Sequence, residues 1–165
     1  MGLIPSLSAC RGCGWAGWPP RADIASKCWS LRDYTSLSVG KLDDALAVLA
    51  LKHREQIVRR NHAIMAQNLA TMDTWLAEYG DLVSWTRPRA GLLALLSYNL
   101  DMPSLELSNR LAEEYSVMLA PGSAFGYEHY LRIGIGQTPA VFTAGLDRTA
   151  ACFKDLLAAG VKRRN

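Results

Sequence analysis

Arg132 and the two glycines that follow it at alternate positions form the pattern in this sequence that points most directly to chemistry. From Tyr130 to Ile135, apolar residues alternate with other types, which is typical of a β-strand with one buried face. On the opposite face Arg132 is followed by Gly134 and Gly136, two positions without side chains. Open space is therefore expected beside a guanidinium, whose planar fork donates two parallel hydrogen bonds to a carboxylate. The pattern predicts a site for a small carboxylate.

The same arginine has a simpler interpretation, an ion pair with a nearby acid at the edge of a strand. Glu128 lies four residues earlier and is the acid that such a pair would use. Strand alternation alone does not distinguish this ion pair from a ligand site.

The segment before Arg132 is expected to shape the space around it. Val117 to Ala120 is predicted to be a short apolar strand, and Pro121-Gly122 is predicted to be a type II turn. Proline presets the first central φ of that turn, and glycine accepts the positive φ of the second.

The rest of the chain supplies the elements that must hold this segment in place. Apolar periodicity and the proline and glycine positions predict two further strands, Leu82–Thr86 and Gly91–Tyr98, and four helices, Pro20–Arg32, Lys41–Tyr79, Asp101–Tyr115 and Pro139–Gly160. Because strands alternate with helices, we expect an α/β (α+β) sandwich whose mixed sheet is packed by helices. The helix over 41–79 is long enough to link two domains.

Composition limits the classes of function. The 165 residues suit one domain, or one domain with a remnant of another, and the net charge of +3 is too small to indicate nucleic-acid binding. No apolar run approaches the roughly 20 residues needed to span a bilayer, so neither a membrane segment nor membrane binding is expected.

Four cysteines in a chain of this length do not predict a disulfide framework, which favours a cytoplasmic setting. Cys10 and Cys13 have metal-ligand spacing but lack a second pair, so no metal site is predicted.

Several short segments follow one another in an order that points to a known family. They are GW at 14–15, WSLRDY at 29–34 with the TSLS after it, RRN at 59–61, PRAG at 88–91, PG at 121–122, FG at 125–126 and LRI at 131–133. In this order they resemble the C-terminal part of a fold-type-I, pyridoxal-phosphate-dependent aminotransferase of class I/II, and the resemblance covers residues 20–160. Residues 1–38 would then be a remnant of the large cofactor-binding domain, and residues 39–165 the small C-terminal domain.

This resemblance implies a role for individual residues. Arg132 matches the arginine that holds the α-carboxylate of the amino-acid substrate. Tyr34 and Thr35 match a segment that approaches the active site of the neighbouring subunit in a homodimer, and Tyr127 lies in the loop that leads to Arg132. The implied reaction transfers an amino group between an amino acid and a 2-oxo acid. A cyclase or lyase of the capreomycidine-synthase-like kind, which uses the same cofactor and fold, is an alternative.

The lysine that carries the cofactor in this family is not found in its expected place. The family places it in a Ser-x-Ser-Lys segment, whereas this chain has Ser6-Leu7-Ser8-Ala9. Arg11 is the nearest match to the arginine that binds the cofactor phosphate, although it is out of register by one residue. We therefore expect this chain to be part of an aminotransferase and to be inactive by itself, without covalently bound pyridoxal phosphate.

Two classes of function other than catalysis remain open. One is a non-catalytic, aminotransferase-like module that binds a ligand. The other is a structural remnant that associates through exposed apolar surface, including the surface around Trp29.

Overall fold

The computed structural model describes residues 21–32, 34, 35 and 40–164. The chain divides into two compact units, residues 1–61 and residues 62–165, which we describe separately. None of the helices in the described part is both long and apolar enough to cross a membrane.

The described part of the N-terminal unit is helical. It contains α1 (Ala22–Arg32), α2 (Lys41–Lys52) and the beginning of α3 (Arg54–Tyr79), and the division between the units falls within α3. The expected apolar side of α1 is not buried, because no residue of this helix is buried and Trp29 is 70% exposed.

The predicted single helix over 41–79 is wrong, because α2 and α3 are separate helices. His53 lies between them with φ −102° and ψ 15°, outside the helical range. Its N–H still donates to the carbonyl of Leu49, and its carbonyl accepts from the N–H of Gln56, so α3 begins directly after the break. Neither proline nor glycine marks this position, which explains why the apolar periodicity conceals it.

The C-terminal unit is built on a four-stranded sheet in the order β1-β2-β4-β3, with β1 at Val83–Trp85, β2 at Leu93–Tyr98, β3 at Ala120–Pro121 and β4 at Tyr130–Gly134. All the pairs of neighbouring strands in this sheet are antiparallel, so the expectation of a mixed sheet is corrected. The strands are also shorter than predicted, β3 most of all, because only two of its residues pair with β4.

Two helices cover one face of this sheet, α4 (Ser104–Tyr115) and α5 (Pro139–Ala158). Their apolar residues meet those of the strands in one core, whose fully buried members include Leu96, Leu107, Leu111, Leu131, Phe153 and Leu156. The α/β (α+β) sandwich predicted from the sequence is therefore confirmed. Pro139 begins α5 as expected, and the chain turns at Gly160 with φ +89°.

A buried asparagine ties α3 to the end of β4. The side-chain amide of Asn68, which is 1% exposed, donates to the carbonyl of Ile135 at 2.9 Å and to that of Gln137 at 2.8 Å. These bonds satisfy backbone groups that leave the sheet just beyond Gly134, and they fix the strand that carries Arg132 against α3.

Candidate functional site

Arg132 lies in the middle of β4 with its side chain on the face of the sheet opposite the core. Its neighbours Leu131 and Ile133 are buried, while Arg132 itself is half-buried, as the alternation along the strand predicted. Leu95 of β2 and Ala120 of β3 are the residues directly across from it, so the guanidinium rises from the central part of the sheet.

The guanidinium of Arg132 packs against an aromatic ring. The central carbon of the guanidinium lies 4.5 Å from the centroid of the Phe125 ring, a cation–π contact. Within residues 21–32, 34, 35 and 40–164, the four ion pairs do not include Arg132. The guanidinium therefore lies against an aromatic ring, and no carboxylate of the described residues occupies its donors.

Glu128, the acid proposed for an ion pair with Arg132, has a different partner. Its carboxylate accepts a hydrogen bond from the N–H of Ser104, the first residue of α4. This bond lowers the pKa of Glu128 below its ordinary value, because the N–H stabilises the charged carboxylate at the positive end of the helix. Glu128 thus caps α4 and does not form the ion pair with Arg132.

The loop that carries Phe125 differs from the predicted turn. Pro121 has φ −66° and ψ 138°, as the first position of a type II turn requires, but Gly122 begins a short 3-10 helix, Gly122–Phe125, instead of adopting a positive φ. Glycine is needed here for space, because a Cβ at position 122 would clash with the carbonyl oxygen of Tyr127. The N–H of Ser123 donates to the hydroxyl of Ser104, which fixes this loop on α4.

The two glycines beyond Arg132 are not equivalent. A Cβ at Gly134 would have its nearest neighbour 4.0 Å away, at the side chain of Leu93, so this position is open. A Cβ at Gly136 would lie 2.9 Å from Leu92, so the expected open floor does not extend there. Of these two glycines, Gly134 is the one that leaves open space beside the strand.

A groove of about 450 Å³ opens on the same face of the sheet as Arg132. Leu95 contributes to it, and its other lining residues include Trp85 and five hydroxyl-bearing side chains, those of Ser84, Thr86, Ser97, Tyr127 and Tyr130. Tyr127 thus lines a groove close to Arg132. The ring of His129, another loop residue, packs edge-on against the buried Tyr98 at 5.7 Å instead.

The other predicted site residues lie elsewhere. Tyr34 and Thr35 belong to the N-terminal unit and are exposed, with the hydroxyl of Thr35 donating to the carbonyl of Arg32. Their approach to a neighbouring active site remains a prediction. Arg11, the Ser6–Ala9 segment, Cys10 and Cys13 lie outside the described residues, and the described residues contain no group of three or more potential metal ligands.

The described residues do not fit a cofactor-binding site. All five lysines of the sequence, at 27, 41, 52, 154 and 162, are described and exposed. A lysine that forms a Schiff base is normally activated by a lowered pKa. Lys154 departs from this requirement, because the Tyr79 side chain, whose ring centroid is 5.3 Å from the ammonium nitrogen, raises the pKa of Lys154. We therefore derive no chemistry through the cofactor from these residues.

The sequence interpretation missed most residues around Arg132. Phe125 entered only through the resemblance, since its contact depends on a four-residue 3-10 helix that has no periodicity. Ser84, Ser97 and Tyr130 come together because of strand register. Their spacing along the chain carries no such signal, although alternation within each strand could have placed each one on the outer face.

Comparison with known proteins supports the family resemblance. No protein-family profile matches the sequence. The chain is 26% identical over 121 residues to capreomycidine synthase from Streptomyces vinaceus, which covers 73% of this chain and 31% of that protein.

Two solved structures also match the fold. One is a PLP-dependent aminotransferase from Streptococcus suis, with a TM-score of 0.75 and 31% identity, covering 81% of this chain and 36% of that chain. The other is the PLP-dependent cyclase OrfR, with a TM-score of 0.73 and 29% identity, covering 81% of this chain and 37% of that one. The chain spans about a third of the length of each relative. In sequence and fold it corresponds to the C-terminal part of a fold-type-I pyridoxal-phosphate-dependent enzyme.

Proposed function

We propose that Arg132 binds the α-carboxylate of an amino acid, and that this chain supplies the carboxylate-binding part of a pyridoxal-phosphate-dependent aminotransferase. The observation that carries the proposal is the guanidinium seated on Phe125 at 4.5 Å, with its donors unused by carboxylates of the described residues. Substrates would be an amino acid and a 2-oxo acid, because both carry the carboxylate that the fork of Arg132 fits.

Phe125 contributes by restricting the orientation of the guanidinium. The ring centroid lies 4.5 Å from the guanidinium carbon, and the N–H donors of the planar group lie in the guanidinium plane. A carboxylate that approaches in this plane accepts two hydrogen bonds without a large rearrangement of the arginine. Gly134, two residues further along β4, leaves open space beside the arginine.

The affinity expected from this contact alone is small but measurable. Hydrogen bonds to charged groups contribute about 1.5–3 kcal/mol each. A single carboxylate contact should therefore give dissociation constants in roughly the millimolar range. Titration of the 165-residue chain with glycine, followed by ¹H–¹⁵N NMR, should shift the resonances of β4 and of the Gly122–Phe125 helix.

Variants of Arg132 test this proposal. Arg132→Met should abolish the glycine-dependent shifts, and Arg132→Lys should weaken binding roughly tenfold, since an ammonium retains the charge without the fork. Arg87→Lys is the matched control, because Arg87 pairs with Asp73 on the surface and should not affect binding. Unchanged glycine binding by Arg132→Met would contradict the proposal.

A cyclase or lyase is the second candidate reaction. It is favoured by the similarity to capreomycidine synthase and to the cyclase OrfR, which is comparable to the similarity to the aminotransferase. Consumption of a 2-oxo acid by the enzyme that contains this chain would support transamination. Conversion of an amino acid without an acceptor would support cyclisation or elimination.

A non-catalytic role in ligand binding is also consistent with the position of the lysines. Because every lysine of this chain is exposed and none is held in a desolvated pocket, we expect the chain by itself to form no specific, stoichiometric adduct with pyridoxal phosphate. A lysine-dependent absorbance band after addition of the cofactor, lost on borohydride treatment, would contradict this expectation. Glycine binding without such a band would agree with a binding module.

A further inference from the structure

The groove beside Arg132 has an unusual lining for its size. Its volume of about 450 Å³ is within the range of small-molecule sites. Among the described residues, its lining contains no carboxylate, ammonium or guanidinium group, but it contains the five hydroxyls of Ser84, Thr86, Ser97, Tyr127 and Tyr130. It is therefore polar, uncharged, and able both to donate and to accept hydrogen bonds.

Strand register places the groove on the same face of the sheet as Arg132, two residues away along the strand. Tyr130 is directly opposite Ser97, and Ser97 is directly opposite Ser84, so these three residues form a row across the sheet. Leu95, which also lines the groove, lies directly opposite Arg132. With a rise of about 3.4 Å per residue, the row of hydroxyls is about 7 Å from the row of Arg132 along the strands.

These hydroxyls are available to a ligand. In residues 21–32, 34, 35 and 40–164, the side-chain hydrogen bonds involve none of the five. Serine hydroxyls elsewhere in the same unit are used within the fold: the Ser108 hydroxyl donates to the carbonyl of Leu119, and that of Ser104 accepts from the N–H of Ser123. The groove thus concentrates hydroxyls that have no side-chain hydrogen bond to the described part of the chain.

We propose that this groove binds the side chain of the amino acid whose carboxylate Arg132 holds, and that it selects a long side chain ending in an uncharged hydrogen-bonding group such as a carboxamide. This inference rests on the proposed role of Arg132. The distance of about 7 Å between the two rows suits a side chain of several atoms. Leu95 supplies an apolar contact for its methylene groups.

The chemistry of the lining explains the selection. A charged side chain would lose water without meeting an opposite charge in the groove. An apolar side chain would displace water from the hydroxyls without replacing its hydrogen bonds, which disfavours binding. A carboxamide both donates and accepts, as the hydroxyls do.

Binding measurements with four amino acids test the groove. L-glutamine, L-norleucine, L-glutamate and glycine are titrated separately into the full chain, and their dissociation constants are obtained by ¹H–¹⁵N NMR. We expect L-glutamine to bind roughly tenfold more tightly than glycine, L-norleucine or L-glutamate. Ser97→Ala and Tyr130→Phe should each weaken L-glutamine binding roughly three- to tenfold and leave glycine binding unchanged, since each removes one hydroxyl.

A control variant and a second set of outcomes keep the two proposals separate. Thr74→Ala removes a hydroxyl that bonds only within α3 and should leave all four dissociation constants unchanged. If Arg132→Met abolishes glycine binding while Ser97→Ala and Tyr130→Phe leave L-glutamine binding unchanged, the groove assignment is overturned and the role of Arg132 is supported. If L-glutamine binding survives in Arg132→Met and is lost in Ser97→Ala, the groove is supported and the carboxylate role is overturned. Equal binding of all four amino acids to the unaltered chain overturns the groove assignment.

Discussion

The helices α2 and α5 are both rich in apolar residues, yet they differ in how far those residues are buried. In α5, apolar side chains such as Leu146, Phe153 and Leu156 are almost fully buried. In α2 only Ala47 and Ala50 are buried, while its leucines are 40–72% exposed. Apolar content therefore indicates where a helix is able to pack, but the neighbouring elements decide whether it does. For α5 those neighbours are α4 and the inner face of the sheet.

The largest expected effect compares two leucines. Leu156→Ala should lower the free energy of unfolding by about 2–5 kcal/mol, because Leu156 is fully buried and its truncation leaves a cavity. Leu49→Ala, the matched substitution in α2, should change it by less than about 0.5 kcal/mol, since Leu49 is 53% exposed. Urea unfolding followed by circular dichroism measures both, and equal effects would contradict the comparison.

The alkylation rates of Cys28 and Cys152 should differ by about 100-fold or more, because one thiol is exposed and the other is buried. Cys28 of α1 is exposed, whereas Cys152 of α5 is fully buried. Burial raises the pKa of the Cys152 thiol to about 11, because the thiolate is poorly solvated there. Iodoacetamide at pH 8, followed by peptide mass mapping, should alkylate Cys28 quickly and Cys152 only when the protein opens.

The raised pKa of Cys152 predicts that the free energy of unfolding depends on pH. A thiol whose pKa is raised on folding stabilises the folded state below the ordinary value of 9.0, and this contribution is lost as the pH rises towards 11. Cys152→Ala should therefore reduce the loss of stability over that interval. An identical loss of stability in the variant and the unaltered chain would contradict this assignment.

The exposed leucines of α2 are expected to promote self-association. Leu42 and Leu49 are 72% and 53% exposed and lie on one side of the helix, two turns apart. The double variant Leu42→Lys, Leu49→Lys should lower the average mass found by light scattering at high protein concentration. Val141→Lys, an exposed apolar position on α5, is the control. A monomer at all concentrations for the unaltered chain would contradict the expectation.

The smallest effect is expected at the cap of α4. Because the N–H of Ser104 lowers the pKa of Glu128 below 4.5, the contribution of Glu128 to stability is present above that value and lost as the pH falls through the lowered pKa. Glu128→Gln should therefore flatten the acid limb of the stability curve. Urea unfolding over a series of pH values measures this limb, and an acid limb that is the same in Glu128→Gln and the unaltered chain would contradict the assignment.

The sequence predicted those parts of the fold that depend on local chemistry. Pro139 and Gly160 bracket α5 because one presets a helical φ and the other accepts a positive φ. The outward position of Arg132 followed from strand alternation between Leu131 and Ile133. These predictions required no knowledge of distant neighbours.

Other features were not accessible because they depend on contacts between distant segments. Gly122 is required by the nearness of the Tyr127 carbonyl, and the space at Gly136 is closed by Leu92 from another strand region. The contact between Phe125 and Arg132 likewise joins a 3-10 helix to a strand. The break at His53 is marked by neither a proline nor a glycine.

The Asn68 bridge has a mechanical consequence. An α-helix is stiff along its axis, and two short bonds clamp its middle to the chain just beyond β4. Because these bonds join α3 to the residues that follow β4, a displacement of α3 would be expected to displace the strand that carries Arg132 as well.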